Sequence, residues 1–399
     1  MQTLTAGILV LFTAASLGLA QAPPADPQAQ PAPAAPAPPV WSVGPIDFSG
    51  LVDGYYNLNF NHPSPAVPSA TGIATGGNQL YNFDVNANQF SLNMAKLSLS
   101  HSPDPVGFQV DFGFGKAFDV ISFNEQAPAI WHNIGQAFVS FKPQKDKGVE
   151  IDFGKFVTWA GAEVIESHSN WNYSRSLLFA WAIPYYHFGL RATDTWGHFQ
   201  GGFAVLNGWN NVEDNNTGKT IGVIGNFSSK KVSWSNTYYT GPENPGTNRG
   251  FRNMYDTVLL LTPADKFNAY VNFDYGQNKS FVDKADKKGT TAAWYGVALA
   301  AKLQMNGKNA LTPRYEWFRD RDGFETGFCD TSKKGRCGPA LQEFTLTYEY
   351  KWVEGLMARL EYRHDWGDER IYSRGASTNA SKNQDTLALG IVAFIGPKR

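Results

Sequence analysis

The sequence has little charge, little cysteine and no long apolar run beyond its N-terminus. Only 17% of its 399 residues are Asp, Glu, Lys or Arg, and the formal net charge is −1. Proteins that bind nucleic acid usually present a basic surface, so this balance argues against a nucleic-acid partner. A membrane-spanning helix needs roughly 18 consecutive apolar residues, and no such run follows the N-terminus. If the chain enters a membrane, it does not cross as helices.

The chain contains two cysteines, Cys329 and Cys337, which are too few for a disulfide-rich scaffold. Their separation of eight residues suits a local disulfide that closes a loop. Such a bond persists only in an oxidising compartment, which indicates export. The seven histidines do not occur at metal-ligand spacing. We therefore expect neither a metal ion nor a cofactor.

The N-terminal segment also predicts export. Residues 1–20 carry an apolar core followed by small residues, the pattern of a secretory signal peptide. The alternative is an N-terminal core helix. Residues 21–45 are rich in Pro and Ala and predict an extended, semi-rigid linker without a core of its own.

Aromatic residues make up 14% of the chain, and alternating segments fill residues 46–399. In VGFQVDFGFG (residues 106–115), Val and Phe share one face, while Gln109, Asp111 and the glycines share the other. Strict period-two alternation predicts a strand. Similar segments predict about sixteen strands, one with a bulge near Ala95 where the alternation changes parity. The glycines would keep the polar side open or mark strand curvature.

The connections between these strands alternate between short and long. Residues 102–105 and 352–355 form short turns, whereas residues 61–88 and 158–185 are long. Transmembrane barrels have this asymmetry, with tight turns on the periplasmic side and long loops outside the cell. An even number of strands places both termini, and the linker, on the short-turn side.

The apolar face of each strand could look into a soluble core or out at lipid. The polar faces carry Gly, Asn, Thr and Asp but few lysines, and aromatic residues lie near the segment ends, as membrane interfaces require. In lipid only a closed barrel leaves no unpaired edge. We predict an all-β protein: a transmembrane antiparallel β-barrel of about 16 strands, with short periplasmic turns and long extracellular loops. A secreted soluble β-protein is the alternative.

Several segments carry a resemblance to a known family. They are SGLVDGYYNLNFNHP (49–63), GFQVDFGFG (107–115), GAEVIESHSNWNYSRSLLFAWAIPYYHFGLR (161–191), NGWNNVEDNN (207–216) and EYRHDW (361–366). The chain resembles the OmpL-like β-barrel porins over essentially its whole mature region, and the 161–191 block is the most specific element. The resemblance implies an outer-membrane pore but not its substrates. Barrel chains usually end on an aromatic residue, whereas this one ends AFIGPKR, so we expect Phe394 to take that role.

The connection at residues 158–185 is the candidate constriction of the pore. It is too apolar for a loop in water, and it is the third long connection, which in sixteen-stranded porins folds into the barrel. Ser174 as N-cap and Pro184 as stop predict a short helix at 175–182. Alternatively, residues 176–183 extend the sixth strand or pack on the rim. The charged or titratable candidates in this loop are Glu163, Glu166, His168 and Arg175.

Charges on the wall supply the second half of the predicted constriction. A field between acidic loop residues and basic wall residues would act on polar solutes. Alternatively, the wall charges satisfy one another and stiffen the barrel. The candidates with polar-face parity are Asp111, Arg191, Arg314, Glu316, Glu343, Glu349, Arg359, Glu361, Arg363 and Asp365.

These patterns predict an outer-membrane porin with a water-filled channel for passive diffusion of small hydrophilic solutes, and not an enzyme. Its expected partners are outer-membrane lipid and those solutes, and a homotrimer is expected from sixteen-stranded porins in general. One alternative is a substrate-selective channel, for example for sugars stacking on Trp159, Trp171, Tyr173 and Trp181. Another is a non-conducting barrel for adhesion or envelope anchoring. A lipase with a Ser–His dyad at His187 is the enzymatic alternative.

Overall fold

The computed structural model describes residues 42–66, 76–123, 125–144, 147–281, 286–330, 332 and 336–396. The predicted signal peptide and all but the last four residues of the predicted linker lie outside the described residues. Within the last four, Ser42–Val43 pairs with Asp47 and Ile46 as a short strand.

Sixteen long strands form one antiparallel sheet that closes on itself. In chain order they are β1 (Ile46–Asn59), β2 (Phe90–His101), β3 (Val106–Phe114), β4 (Ile134–Phe141), β5 (Glu150–Val157), β6 (Tyr186–Trp196), β7 (Phe199–Leu206), β8 (Thr220–Ser228), β9 (Val232–Pro242), β10 (Phe251–Ala264), β11 (Phe267–Ser280), β12 (Thr290–Gln304), β13 (Asn309–Asp320), β14 (Ala340–Val353), β15 (Leu356–Gly367) and β16 (Asn383–Ile395). Each strand pairs with its neighbours in sequence, and β16 pairs with β1 from Thr386↔Asn59 to Ile395↔Gly50. The predicted sixteen-stranded antiparallel barrel is confirmed.

The two faces of each strand lie in opposite surroundings. In β3, Phe114 is 59% exposed on the outside of the barrel, whereas Asp111 is 1% exposed on the inside. Exposed Val, Leu and Phe side chains likewise cover the outer faces of the other strands. An outward apolar face is stable against lipid hydrocarbon and not against water, so the barrel is inside out relative to a soluble protein.

The register between β1 and β2 shifts at Asn93. Asp53 pairs with Met94 and Gly54 pairs with Leu92, which leaves Asn93 without a cross-strand partner. The extra residue turns Asn93 inward, where its amide donates a hydrogen bond to Asp53 at 2.6 Å. The shift lies two residues from the bulge predicted at Ala95 and changes the parity of the strand, as a bulge does.

Most of the remaining regular structure belongs to the long connections. Helix α1 (Lys116–Ile121) lies between β3 and β4, and helix α2 (Leu177–Trp181) lies between β5 and β6. The β15–β16 connection contains a small hairpin, Tyr372–Arg374 with Ser377–Ser381. Within the described part of the chain no helix is long and apolar enough to cross a membrane.

The protein core lies inside the barrel, where the long connections pack on the inner wall. Glycines on the inner faces make this packing possible. A Cβ added to Gly113 would meet the Phe118 ring of α1 at 2.2 Å, and one added to Gly390 would meet the Tyr173 ring at 2.3 Å. The lumen is therefore not open beside Gly113, which differs from the prediction that this glycine keeps the polar side of the strand open. Both glycines leave room for side chains of the long connections.

The candidate pore and the loop inside the barrel

The third long connection, residues 158–185, packs against inward-facing side chains of the wall, and we refer to it as the inner loop. The amide nitrogens of Tyr173 and Ser174 donate to the carboxylate of Glu361 on β15, at 2.6 and 2.9 Å. The Tyr173 hydroxyl donates to Asp53 on β1 at 2.8 Å. Wall carboxylates thus accept hydrogen bonds from backbone amides and a hydroxyl group that would otherwise bond to water.

Helix α2 presents the apolar part of the inner loop to the lumen core. Leu177 and Leu178 are fully buried, and the helix begins after Ser176, whose side chain accepts a hydrogen bond from the amide of Phe179 at 2.9 Å. The prediction that Ser174 is the N-cap is wrong. Its carbonyl accepts from Arg314 on β13 at 2.9 Å, so the chain is held by the wall there and the helix starts later.

Two of the four predicted constriction residues hold the inner loop together. Glu163 is 6% exposed; it pairs with Arg314 at 2.7 Å and accepts the amide of Ser176 at 2.7 Å. Arg175 is buried and donates to backbone carbonyls of the same loop, including Ile165 at 2.7 Å. Neither side chain faces open water.

The other two predicted residues, Glu166 and His168, lie where the inner loop approaches β2 and β16. Glu166 forms an ion pair with Lys96, which also pairs with Asp111 at 3.2 Å. Burial raises the pKa of Glu166, but Lys96 outweighs burial and holds the pKa below its ordinary value. Burial lowers the pKa of His168 to about 4. Its ring stacks on Phe394 at 4.4 Å, so the expected terminal aromatic faces the lumen and not the lipid.

The charges predicted on β13 to β15 form one buried network. Arg314 pairs with Glu343 at 2.8 Å, Arg363 with Asp365 at 2.7 Å and Arg359 with Glu349 at 2.7 Å. None of the network residues is more than 2% exposed; the members are Arg314, Glu316, Glu343, Glu349, Arg359, Glu361, Arg363 and Asp365.

The arginines of this network also bind the backbone of the inner loop. Arg359 donates to the carbonyls of Ser167, Asn170 and Asn172. Arg363 donates to the carbonyl of Arg175 at 2.7 Å. An arginine offers five N–H donors in a fixed fork, so one side chain can satisfy a carboxylate and several carbonyls together. These residues therefore hold the loop against the wall.

A second set of charges keeps contact with water. Lys96, Glu166 and Arg191 have side chains that are 14, 19 and 15% exposed. Arg191 pairs with Asp152 at 2.8 Å. Asp111, predicted as a wall residue, accepts from Lys96 and from Gln136. These residues lie on β2 to β6 and the inner loop, away from the buried network.

Three neighbouring strands, β7 to β9, carry no charged residue on their inner faces, which we call the uncharged wall. Their inward positions hold Gly, Ala, Ser, Thr, Asn, Gln and a few apolar residues. Gln200, Asn226 and Ser235 are only partly buried. Sequence reasoning that searched for charges missed this surface, although its signal is the run of small uncharged residues at inward parity.

The remaining candidates take structural positions. Cys329 and Cys337 form a disulfide in the β13–β14 connection. His187 bonds the carbonyl of Gly208 through Nδ1 at 2.8 Å, and its Nε2 has no hydrogen-bond partner. The Ser–His dyad considered for His187 is therefore not formed.

A closed barrel with a long connection packed inside it defines a channel protein of the porin type. The family model described as Putative beta-barrel porin-2, OmpL-like, matches residues 45–395, and the chain belongs to this family. The protein is an outer-membrane porin. A comparison with curated proteins finds no match.

Solved structures share the fold at low sequence identity. The outer-membrane protein OmpT of Vibrio cholerae is 11% identical with a TM-score of 0.54, over 88% of this chain and 97% of that one. An anion-selective porin from Comamonas acidovorans is 11% identical with a TM-score of 0.55, over 88% and 99%. A trimer form of in-vitro folded Vibrio cholerae OmpT is 10% identical with a TM-score of 0.50, over 88% and 98%. At this identity the likeness concerns the fold alone.

Proposed function

We propose that this porin passes small hydrophilic solutes by diffusion along the uncharged wall. In a closed barrel of sixteen strands, β7 to β9 lie opposite β15, β16 and β1, where the inner loop is bound. The contrast between these two sides carries the proposal: one is filled by the loop, and the other presents small, partly exposed polar side chains. Lys96, Glu166 and Arg191 are its proposed constriction, because they are charged groups that keep contact with water.

The position of the inner loop relative to Tyr239 supports a narrow path. The Tyr239 hydroxyl, on β9, lies 3.2 Å from the amide nitrogen of Trp159 and 3.2 Å from the hydroxyl of Thr158. The start of the inner loop therefore contacts the uncharged wall towards the extracellular end of β9. Solutes would have to pass beside this contact, which favours small molecules over large ones.

The aromatic residues of the inner loop do not favour a sugar path. The Tyr173 hydroxyl is bound to Asp53, and the Trp181 indole donates to the carbonyl of Leu80 at 3.0 Å. Trp171 packs on Tyr270 at 5.1 Å. We also infer that the protein is not an enzyme, since its family consists of barrel porins.

Planar-bilayer recordings test the pore and its route. We expect stepwise openings of the folded protein, blocked by a charged thiol reagent in Ser235→Cys on the uncharged wall. The matched control is Thr345→Cys on β14, because Thr345 is fully buried beside the inner loop; the reagent should leave its current unchanged. The native cysteines are joined in a disulfide and do not react. Absence of openings in repeated insertions would refute the pore, and equal block of both variants would refute the route.

A homotrimer is the second part of the proposal. It is supported by the trimer form of OmpT, whose barrel shares this fold. Light scattering of the protein in detergent, corrected for the bound detergent, measures the mass directly. A mass of one chain under conditions that preserve the folded barrel would exclude the trimer.

A further inference from the structure

One arginine on the inner wall of the barrel has no acidic partner. Arg252 is the second residue of β10, at the extracellular end of the strand, and lies on the inward face opposite Gly241 of the uncharged wall. Among the described residues, no carboxylate forms an ion pair with it. The other arginines on inward faces of the strands each pair with a carboxylate; they are Arg191, Arg314, Arg359 and Arg363.

Three aromatic rings surround the Arg252 guanidinium. Its central carbon lies 4.7 Å from the ring centroid of Trp209, 5.2 Å from that of Phe324 and 6.0 Å from that of Trp294. The Nε–H group donates to the side-chain oxygen of Asn278 at 3.2 Å. Cation–π contacts and this hydrogen bond together hold the guanidinium in place. The three rings belong to the β7–β8 connection, the β13–β14 connection and β12, so distant parts of the chain combine to position one cation.

The end of this guanidinium is open to a ligand. Its two terminal nitrogens, Nη1 and Nη2, form no hydrogen bond with the described residues, and neither is fully buried. Arg252 as a whole is only partly buried, and the neighbouring Phe324 is 37% exposed. An anion can therefore reach these N–H donors from the extracellular mouth of the barrel.

We propose that Arg252 binds the carboxylate of a small organic acid at the extracellular entrance to the uncharged wall. The paired N–H donors of a guanidinium match the two oxygens of one carboxylate, and the exposed Phe324 ring offers an apolar contact to the body of the acid. A doubly charged phosphate fits less well, because the site has one cation and two carboxyl groups, Glu243 and Glu325, near it. The role of the site in uptake rests on the solute path proposed above, whereas binding of the acid does not.

The two nearby carboxyl groups do not occupy the free donors of Arg252. Both oxygens of Glu243 accept other hydrogen bonds, from the amide of Trp209 at 3.0 Å and from the hydroxyl of Thr220. Glu243 therefore positions Trp209 beside the arginine. Burial raises the pKa of Glu325 to about 8, so at neutral pH this carboxyl is mostly uncharged and does not neutralise Arg252.

Binding of para-fluorobenzoate to the folded protein in detergent micelles tests the site. The fluorine NMR line of this acid should broaden with the wild type in a saturable way. The amide para-fluorobenzamide has the same ring without the charge, and it should bind at least about tenfold more weakly. Arg252→Gln should weaken binding of the acid by a similar factor. Arg252→Lys keeps the charge but lacks the paired donors, so its affinity should lie between those of the wild type and Arg252→Gln.

The matched control is Arg319→Gln. Arg319 lies at the same end of the barrel, but on the outer face opposite Tyr295 and paired with Asp368, so this variant should bind the acid as the wild type does. Equal affinity of the wild type and Arg252→Gln would overturn the proposal. So would equal affinity of the wild type for the acid and the amide, which would mean apolar binding alone. Heat-modifiable migration on gels verifies folding, and Arg252→Lys carries the comparison if Arg252→Gln does not fold.

Current recordings in planar bilayers separate this site from the pore. Para-fluorobenzoate should reduce the KCl current through the wild type and Arg319→Gln but not through Arg252→Gln. Absence of any openings would refute the pore and not the site, because the micelle assay does not depend on conduction. Binding in micelles without a reduced current would exclude Arg252 from the solute path.

Discussion

Two parts of the inner wall use polar residues in different ways. On β13 to β15 the side chains are long and charged, yet they are almost completely buried because they pair with one another and with the inner loop. On β7 to β9 the inner side chains are short and uncharged, and several keep contact with water. A charge that points into a barrel therefore need not act on solutes. It does so only when no loop covers it, because a covered charge forms its hydrogen bonds and ion pairs with that loop and with the wall.

The strongest test of this difference removes an arginine from the buried network. Arg359→Ala removes the arginine donor from three loop carbonyls, of which that of Ser167 keeps only the amide of Asn170, and takes the principal partner from Glu349. Breaking a buried ion pair costs about 3–5 kcal/mol, so denaturant unfolding of the barrel in detergent should show a loss of this size. Release of the inner loop should also raise single-channel conductance.

Arg191→Ala is the matched control, because Arg191 pairs with one carboxylate and is partly exposed. Its stability loss should be smaller than that of Arg359→Ala, because Arg191 does not donate to the backbone of the inner loop and its side chain keeps contact with water. If both variants lose the same stability and Arg359→Ala keeps the wild-type conductance, the buried network does not hold the loop.

A smaller effect is expected when the room for the inner loop is filled. A Cβ at residue 390 would overlap the Tyr173 ring at 2.3 Å, so Gly390→Ala should cost about 1–3 kcal/mol by overpacking. Gly225→Ala on β8 makes the same chemical change where nothing lies within 4 Å, and should stay within about 0.5 kcal/mol of the wild type. The same unfolding assay compares them; a neutral Gly390→Ala would show that Tyr173 can move aside.

The barrel was predictable from the sequence, whereas the roles of its charges were not. Strand positions and faces follow from period-two alternation, since each parity meets one environment along the whole strand. Arg314 and Arg191 have the same parity, yet one is buried under the inner loop and the other keeps contact with water. That difference depends on the path of residues 158–185, which is set by contacts with strands more than a hundred residues away. Parity carries no information about such contacts, and neither does the local spacing that suggested Ser174 as the cap of α2.

Acid should weaken the attachment of the inner loop at His168. Burial lowers the pKa of this histidine to about 4, whereas an unfolded chain has a histidine pKa near 6.5. Between these values the unfolded state binds more protons, so stability should fall as the pH drops from about 6.5 to about 4. The ring is partly exposed, and we expect a contribution on the order of 1 kcal/mol. Unfolding of His168→Gln across this range should lack that component, while His198→Gln in the β6–β7 turn should retain it; the same pH profile in both would contradict the assignment.

The smallest expected effect concerns ion selectivity and separates the two acidic residues of the inner loop. Glu166→Gln removes the negative charge that neutralises Lys96. Both side chains keep contact with water, so the reversal potential in a KCl gradient should shift in the direction of greater anion selectivity. Glu163→Gln removes the same charge from a buried site that faces Arg314, and should change stability more than selectivity. Equal shifts in both variants would mean that the buried network also acts on the permeating ions. The shift of the reversal potential in Glu166→Gln should become smaller between about 0.1 and 1 M salt, because the Debye length falls from about 10 to 3 Å. Screening of this kind acts on a charge that is in contact with the permeating solution.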